Sequence, residues 1–228
     1  NSDSKETQFE ISLPETVGAK APRLLTPRET ILEQERTLTL EDKGDSRKYY
    51  VYVKGDVVYT TDQVADAITK ANENMGVVVG KDQEYIWKRS RDAIRPALSD
   101  IAVGAEDASS NSIAQCIHAM LEKEGINISV SALIAGGETP KNILSNTMKD
   151  ARILDLTGCS VEEVLYYVSC GNPVFAMTGS DEAVLVVGYD ANNVIIFDPS
   201  TGSNFKQSLT DADEVFKEAG NVFFTYLK

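Results

Sequence analysis

Glu182-Ala-Val-Leu-Val-Val-Gly-Tyr-Asp190, with Asp198-Pro199 following eight residues later, is the stretch on which the fold turns. Ala183 to Tyr189 is an unbroken run of apolar and β-branched residues, which reads as a strand, and Val194 to Phe197 reads as the next. Between them Asp190-Ala-Asn-Asn193 carries the turn chemistry that closes an antiparallel hairpin. Pro199-Ser-Thr-Gly202 then turns the chain again, into Phe205 to Gln207. Pro173 to Met177 before this region and Val222 to Leu227 after it read as further strands, with one helix opened by Thr210. This half of the molecule is therefore an antiparallel sheet.

Helices precede it. Ile113, Ile117, Met120 and Leu121 share one face of a helix that ends at Gly125, with Ser109-Ser-Asn-Ser112 available to cap its start. Short helices follow near Ser131 to Ala135 and after Thr139-Pro140, then a strand from Arg152 to Leu156. Ser160 with Glu163 forms a capping box that leads Val161, Val164, Leu165 and Val168 along an apolar stripe to Gly171. Helices first and an antiparallel sheet second make an α+β layout over residues 109–228.

Upstream, Tyr49 to Val53 and Val57 to Tyr59 read as a hairpin about Lys54-Gly-Asp56. Thr60 with Gln63 resembles a capping box for a helix that ends at Gly76, and Val77 to Val79 and Tyr85 to Trp87 complete a small ββαββ module within residues 47–90. Residues 91–108 read as a connector with a short helix at Ala93 to Asp100. Residues 1–46 hold Pro14, Pro22 and Pro27 and no sustained period, so they read as an extended arm, with a short helix near Thr30 to Glu35.

Composition excludes several partners. The chain has 228 residues, 42% of them hydrophobic, and a net charge of −13 that would repel nucleic acid and anionic membrane surfaces. A protein or peptide partner, basic ones included, stays open. There is no apolar run near the length of a membrane-spanning helix. The first residue is Asn1, and a leader or anchor is expected to have preceded it. Cys116, Cys159 and Cys170 match no zinc spacing and are expected as reduced, mostly buried thiols.

The order of elements, together with Gly171-Asn-Pro-Val-Phe175, the Ala183–Asp190 strand and Phe197-Asp-Pro-Ser-Thr-Gly202, is similar to the bacteriocin-processing, double-glycine type of papain-like cysteine peptidase domain. The resemblance covers residues 109–228 and none of residues 1–108. It implies a papain-like domain in which a cysteine opens the first helix, a histidine opens the strand that ends in Gly-Tyr-Asp, and an aspartate before proline orients that histidine. In the family the helix runs about thirteen residues, between three and four turns, from the cysteine to a glycine. Counted back from Gly125 this lands on Ser112, with Asn111 and Ser110 within error.

The resemblance thus puts Ser112 in the nucleophile slot, Glu182 in the histidine slot and Asp198 in the orienting slot, with Cys116 as the alternative nucleophile if the helix starts late. A glutamate beside Asp198 would raise the proton affinity of at least one carboxylate, and a carboxylate of ordinary basicity is a poor base for a serine hydroxyl. The sole histidine, His118, stands two helical positions from Cys116 and about 200° around the helix from it, and reads as partly exposed on a polar face.

The expectation is a catalytically degraded cysteine-peptidase-like domain of a secreted or cell-surface bacterial protein, with a binding or structural role. The alternative is an active cysteine peptidase or amide hydrolase using Cys116. A third reading gathers Asp181, Glu182, Asp190 and Asp198 around calcium, although no EF-hand alternation is present. No cofactor is implied, and no phosphate-binding fingerprint is found.

Overall fold

The computed structural model describes residues 49–102 and 111–228. The extended arm, its expected helix near Thr30 to Glu35, and Ser109 and Ser110 of the capping cluster lie outside the described residues. Strands β1 (Tyr49–Val53) and β2 (Asp56–Thr61), helix α1 (Val64–Glu73), and strands β3 (Val77–Gly80) and β4 (Tyr85–Lys88) form the ββαββ unit. Their sheet is antiparallel in the order β2-β1-β3-β4, so among the described residues β2 and β4 are its edges.

Two local expectations in this unit fail for tertiary reasons. Thr60 does not cap α1: it is paired with Tyr50 in the β1–β2 ladder, and Gln63 stands at the N-cap without a side-chain bond. The left-handed residue after α1 is Met75, at φ 54°, rather than Gly76. Gly76 is needed for close approach, because a Cβ there would meet the Tyr52 carbonyl oxygen at 2.6 Å.

Helices α2 (Ser112–Lys123), α3 (Val130–Ala135) and α4 (Pro140–Thr147) come next, followed by strand β5 (Arg152–Asp155) and helix α5 (Val161–Ser169). Strands β6 (Val174–Met177), β7 (Ala183–Tyr189), β8 (Asn193–Asp198) and β9 (Ser203–Ser208), helix α6 (Leu209–Glu218) and strand β10 (Phe223–Leu227) complete the chain. The fold is α+β, with a six-stranded antiparallel sheet ordered β5-β10-β6-β7-β8-β9.

Capping at α5 follows the sequence pattern: the Ser160 hydroxyl accepts from the Glu163 amide, and the Glu163 carboxylate accepts from the Ser160 amide. At α6 the helix starts one residue earlier than Thr210, because Ser208 takes the N-cap and accepts from the Asp211 amide.

While the edge strand β9 is mostly exposed, the central strands of the large sheet are buried on both faces. On one, Phe175, Leu185, Val187 and Phe197 pack with α2, α4 and Val130. On the other, Val174, Ala176, Val186 and Ile196 pack with α5 and α6, and the same core continues into Val51, Ile68, Val78 and Trp87 of the ββαββ unit. Two-sided burial is why Ala183 to Val187 is apolar at every position rather than alternating. A bulge between Val186 and Gly188 then resets the alternation, turning Tyr189 toward the α5 side.

Residues 93–100 do not form the expected helix. Arg95 exchanges backbone hydrogen bonds with Tyr189 at 2.8 Å in each direction, and the Leu98 amide donates to Val187 at 3.0 Å. The connector thus lies along β7 beyond the point where β6 begins. Pro96 favours this outcome, because it disfavours helical backbone at Arg95. The crossing is so close that a Cβ at Gly188 would stand 2.8 Å from the Arg95 carbonyl oxygen and 2.9 Å from the Ala97 nitrogen.

Candidate functional site

Helix α2 begins at Ser112, with Asn111 as N-cap accepting from the Ala114 amide at 2.9 Å. Ser112 is therefore the first helical residue, and Cys116 lies one turn further in, so Cys116 does not open the helix. The Ser112 hydroxyl oxygen accepts a hydrogen bond from the Ala183 backbone amide at 2.9 Å. That bond joins the start of α2 to the start of β7, and it brings Ser112 beside the residue that follows Glu182.

Glu182 itself is exposed. Its carbonyl oxygen accepts from the Thr178 amide at 2.9 Å and closes the loop between β6 and β7. Among the described residues its carboxylate has no hydrogen bond or ion-pair partner, and its side chain lies alongside Gly179. The first β7 residue that packs with the α2 side of the sheet is Ala183, whose side chain is small and inert.

Asp198 ends β8 in a turn cap. Its Oδ1 accepts from the Ser200 amide at 2.8 Å and from the Ser200 hydroxyl at 2.6 Å. Partial burial pushes its pKa up, but the bonds from Ser200 and Thr201 outweigh that and hold the carboxyl below its ordinary value. The expected rise in proton affinity from a carboxylate pair is thus absent at Asp198, because local turn donors satisfy it. Its charge is felt by Cys116.

Cys116 has no exposed surface and packs in the core with Ala183, Leu185 and Phe197. Burial first, and the Asp198 charge second, push its thiol well above the ordinary value. Both effects oppose thiolate formation. Cys159 is buried too, while Cys170 at the end of α5 is exposed, so the free thiols are mostly buried as expected.

His118 departs from the sequence reading. It is 3% exposed, not partly exposed, and its Nε2 lies 3.8 Å from the Glu122 carboxylate one turn on. The reason is that α2 is enclosed: Ala114 through Leu121 are all buried, so the helix has no polar solvent face over that span. The calcium reading fails on geometry. Among the described residues no three histidine, cysteine, aspartate or glutamate side chains gather closely enough to hold a metal ion. Asp190 is engaged elsewhere, accepting from Lys206 at 2.8 Å and from the amides of Asn192 and Asn193 at 3.0 Å each.

The structure therefore joins the Ser112 hydroxyl to the strand start at Glu182–Ala183, and separately sets Cys116 within reach of the Asp198 charge. It joins neither His118 nor the Glu182 carboxylate to them. The bond from Ala183 to Ser112 was not legible in the sequence, because a backbone donor leaves no residue signature. The Ser200 clamp was partly legible, since an aspartate two residues before a serine in a turn is a common cap.

A crystal structure from Bacillus anthracis, described as a candidate C39-like peptidase, is similar to this chain at 17% identity and a TM-score of 0.46, covering 64% of this chain and 98% of that one. A likeness at this level assigns no residue a role. No family model matches the chain. No curated protein matches it either.

Proposed function

We propose that residues 109–228 are a papain-like, cysteine-peptidase-like domain whose hydrolytic chemistry has been lost, and that the domain serves a binding or structural role toward a protein or peptide on a secreted or cell-surface bacterial protein. The observation that carries this reading is the 2.9 Å bond from the Ala183 amide to the Ser112 hydroxyl. It supports the assignment of Ser112 and Glu182 to adjacent slots at a helix start and a strand start, as a nucleophile and its base require. The same neighbourhood is short of reactivity. The helix opens on a serine already tied to backbone, no imidazole stands beside it among the described residues, and the thiol one turn in is buried beside a carboxylate. Hydrolysis through Cys116 would need a thiolate that both burial and charge disfavour.

The test restores the two changed slots. The double variant Ser112→Cys with Glu182→His, checked for folding by circular dichroism, is assayed against a panel of double-glycine peptides and with iodoacetamide at neutral pH. The expected result is an introduced thiol that alkylates quickly and measurable peptide cleavage, against neither in the parent protein. A folded double variant whose new thiol reacts no faster than Cys170 would refute the slot assignment. Rapid alkylation of Cys116 in the folded parent would refute the loss of chemistry.

A further inference from the structure

Among the described residues, Lys88, Arg89, Arg91 and Arg95 have no carboxylate within ion-pair distance, and outside this run only Lys54, Lys81 and Lys149 share that condition. In a chain of net charge −13 such a run of cations without carboxylate partners is unusual, although Lys88 rests over the Tyr85 ring at 3.6 Å and Arg91 lies 5.4 Å from the centre of the Tyr189 ring. Three of the four, Lys88, Arg89 and Arg91, line one cavity of about 150 Å³ together with Trp87, Tyr166 and Asn72.

Glu163 lines the cavity too, and its backbone and carboxylate are both engaged in holding the wall together. The Trp87 indole donates to the Glu163 carbonyl at 2.9 Å, and Asn72 donates to the Glu163 carboxylate at 3.0 Å. Trp87 and Tyr166 meet edge to face, with ring centroids 6.4 Å apart. Of the two lining glutamates, Glu162 forms no ion pair with any of the three cations, and the Glu163 carboxylate is taken up by Asn72 and the Ser160 amide.

The cavity opens beside β4, an edge strand that pairs only with β3 among the described residues. An unpaired strand edge is a template for an added strand, whose backbone supplies affinity while flanking pockets read its side chains. Protection of the edge against aggregation accounts for Lys88, which lies in the strand. It does not account for Arg89, which follows the strand, is exposed and lines the cavity, and the Tyr189 ring that Arg91 faces leaves the charge of Arg91 without a counter-ion.

From these observations we infer that β4 and the Lys88–Arg91 cavity form a binding site for an extended acidic peptide, whose backbone pairs with β4 and whose carboxylates meet Lys88, Arg89 and Arg91. The overall charge does not prevent this. At physiological salt, charges beyond roughly 8 Å are screened, so a ligand in the groove meets the local cations first. A long polyanion such as nucleic acid would extend past them onto the acidic surface and be repelled.

The probe is a short fluorescent peptide alternating Glu with Val, titrated into the full chain at 150 mM salt, with a Lys–Val peptide as its counterpart. Saturable binding of the Glu peptide alone is expected, weakened at least about tenfold in Arg89→Glu/Arg91→Glu and within about twofold of the parent in Lys54→Glu/Lys149→Glu. Arg89→Glu alone, at an exposed residue, keeps the test open if the double variant fails to fold; it should weaken binding several-fold. Hydrogen exchange at the β4 amides should slow when the peptide is bound. The inference is overturned by absence of saturable binding, by equal losses in both charge-reversed pairs, by unchanged β4 exchange, or by complete displacement with millimolar inorganic phosphate, which would make this a phosphate site.

Discussion

Gly188 shows what a single residue contributes here. It lacks a side chain because the connector backbone crosses it, with the Arg95 carbonyl and Ala97 nitrogen both under 3 Å from where a Cβ would stand. Neither obstacle is a flexible side-chain tip, so one of the two backbones must move. Gly188→Ala is therefore expected to destabilise the fold by about 1–3 kcal/mol, measured by urea denaturation, with the loss falling on the contact between the connector and β7. The sequence offered the glycine but not its reason, since the clashing partners, Arg95 and Ala97, lie more than ninety residues away along the chain. Distance also hid the burial of His118: a helical pattern reports which face is apolar, not whether other elements enclose the remaining faces. What a residue's close neighbours decide was readable, as with Asp198, where the turn residues that hold it follow it directly.

At the level of elements, the capping box of α5 was legible and the one assigned to α1 was not, although both share the Ser/Thr-x-x-Glu/Gln pattern. Ser160 is free to cap, whereas Thr60 is committed to its ladder with Tyr50; strand pairing took precedence over a local helix signal. The end of α2 makes a separate prediction. Glu124, its C-cap residue, accepts from the Tyr226 hydroxyl and from Lys228, tying β10 and the residue after it to the helix. Burial raises its pKa, but bonds from Lys228 and Tyr226 and the nearby charge of Lys123 bring it below the ordinary value. The stabilisation is thus fully present above the unfolded-state value of about 4.3 and is lost as pH falls through the lower folded-state value. Glu124→Gln should cost about 1–2 kcal/mol at pH 7 and make denaturation midpoints less sensitive to acid below about pH 4.

The molecule as a whole is joined more tightly than a boundary near residue 90 suggests. The core on one face of the six-stranded sheet runs without interruption into the ββαββ unit. Arg152 on β5 also reaches the β3–β4 turn, pairing with Asp82 at 2.8 Å and with Glu84. Trp87, the sole tryptophan, sits at this junction with its indole bonded to α5. Tryptophan fluorescence and far-ultraviolet circular dichroism should therefore report one coincident unfolding transition, and two separated midpoints would show that the units come apart independently. The strand order has a consequence for synthesis. β10 lies between β5 and β6, and its residue Phe224 pairs with Asp155 on one side and Phe175 on the other. Until Leu227 has cleared the ribosome, β5 and β6 lack the strand that joins them, and each must wait with an open edge. At about 5–20 residues per second, the interval between the emergence of β5 and of β10 lasts several seconds. Over that interval β5 has no partner strand and β6 is paired on one side alone, so this is when the nascent chain is most open to mispairing.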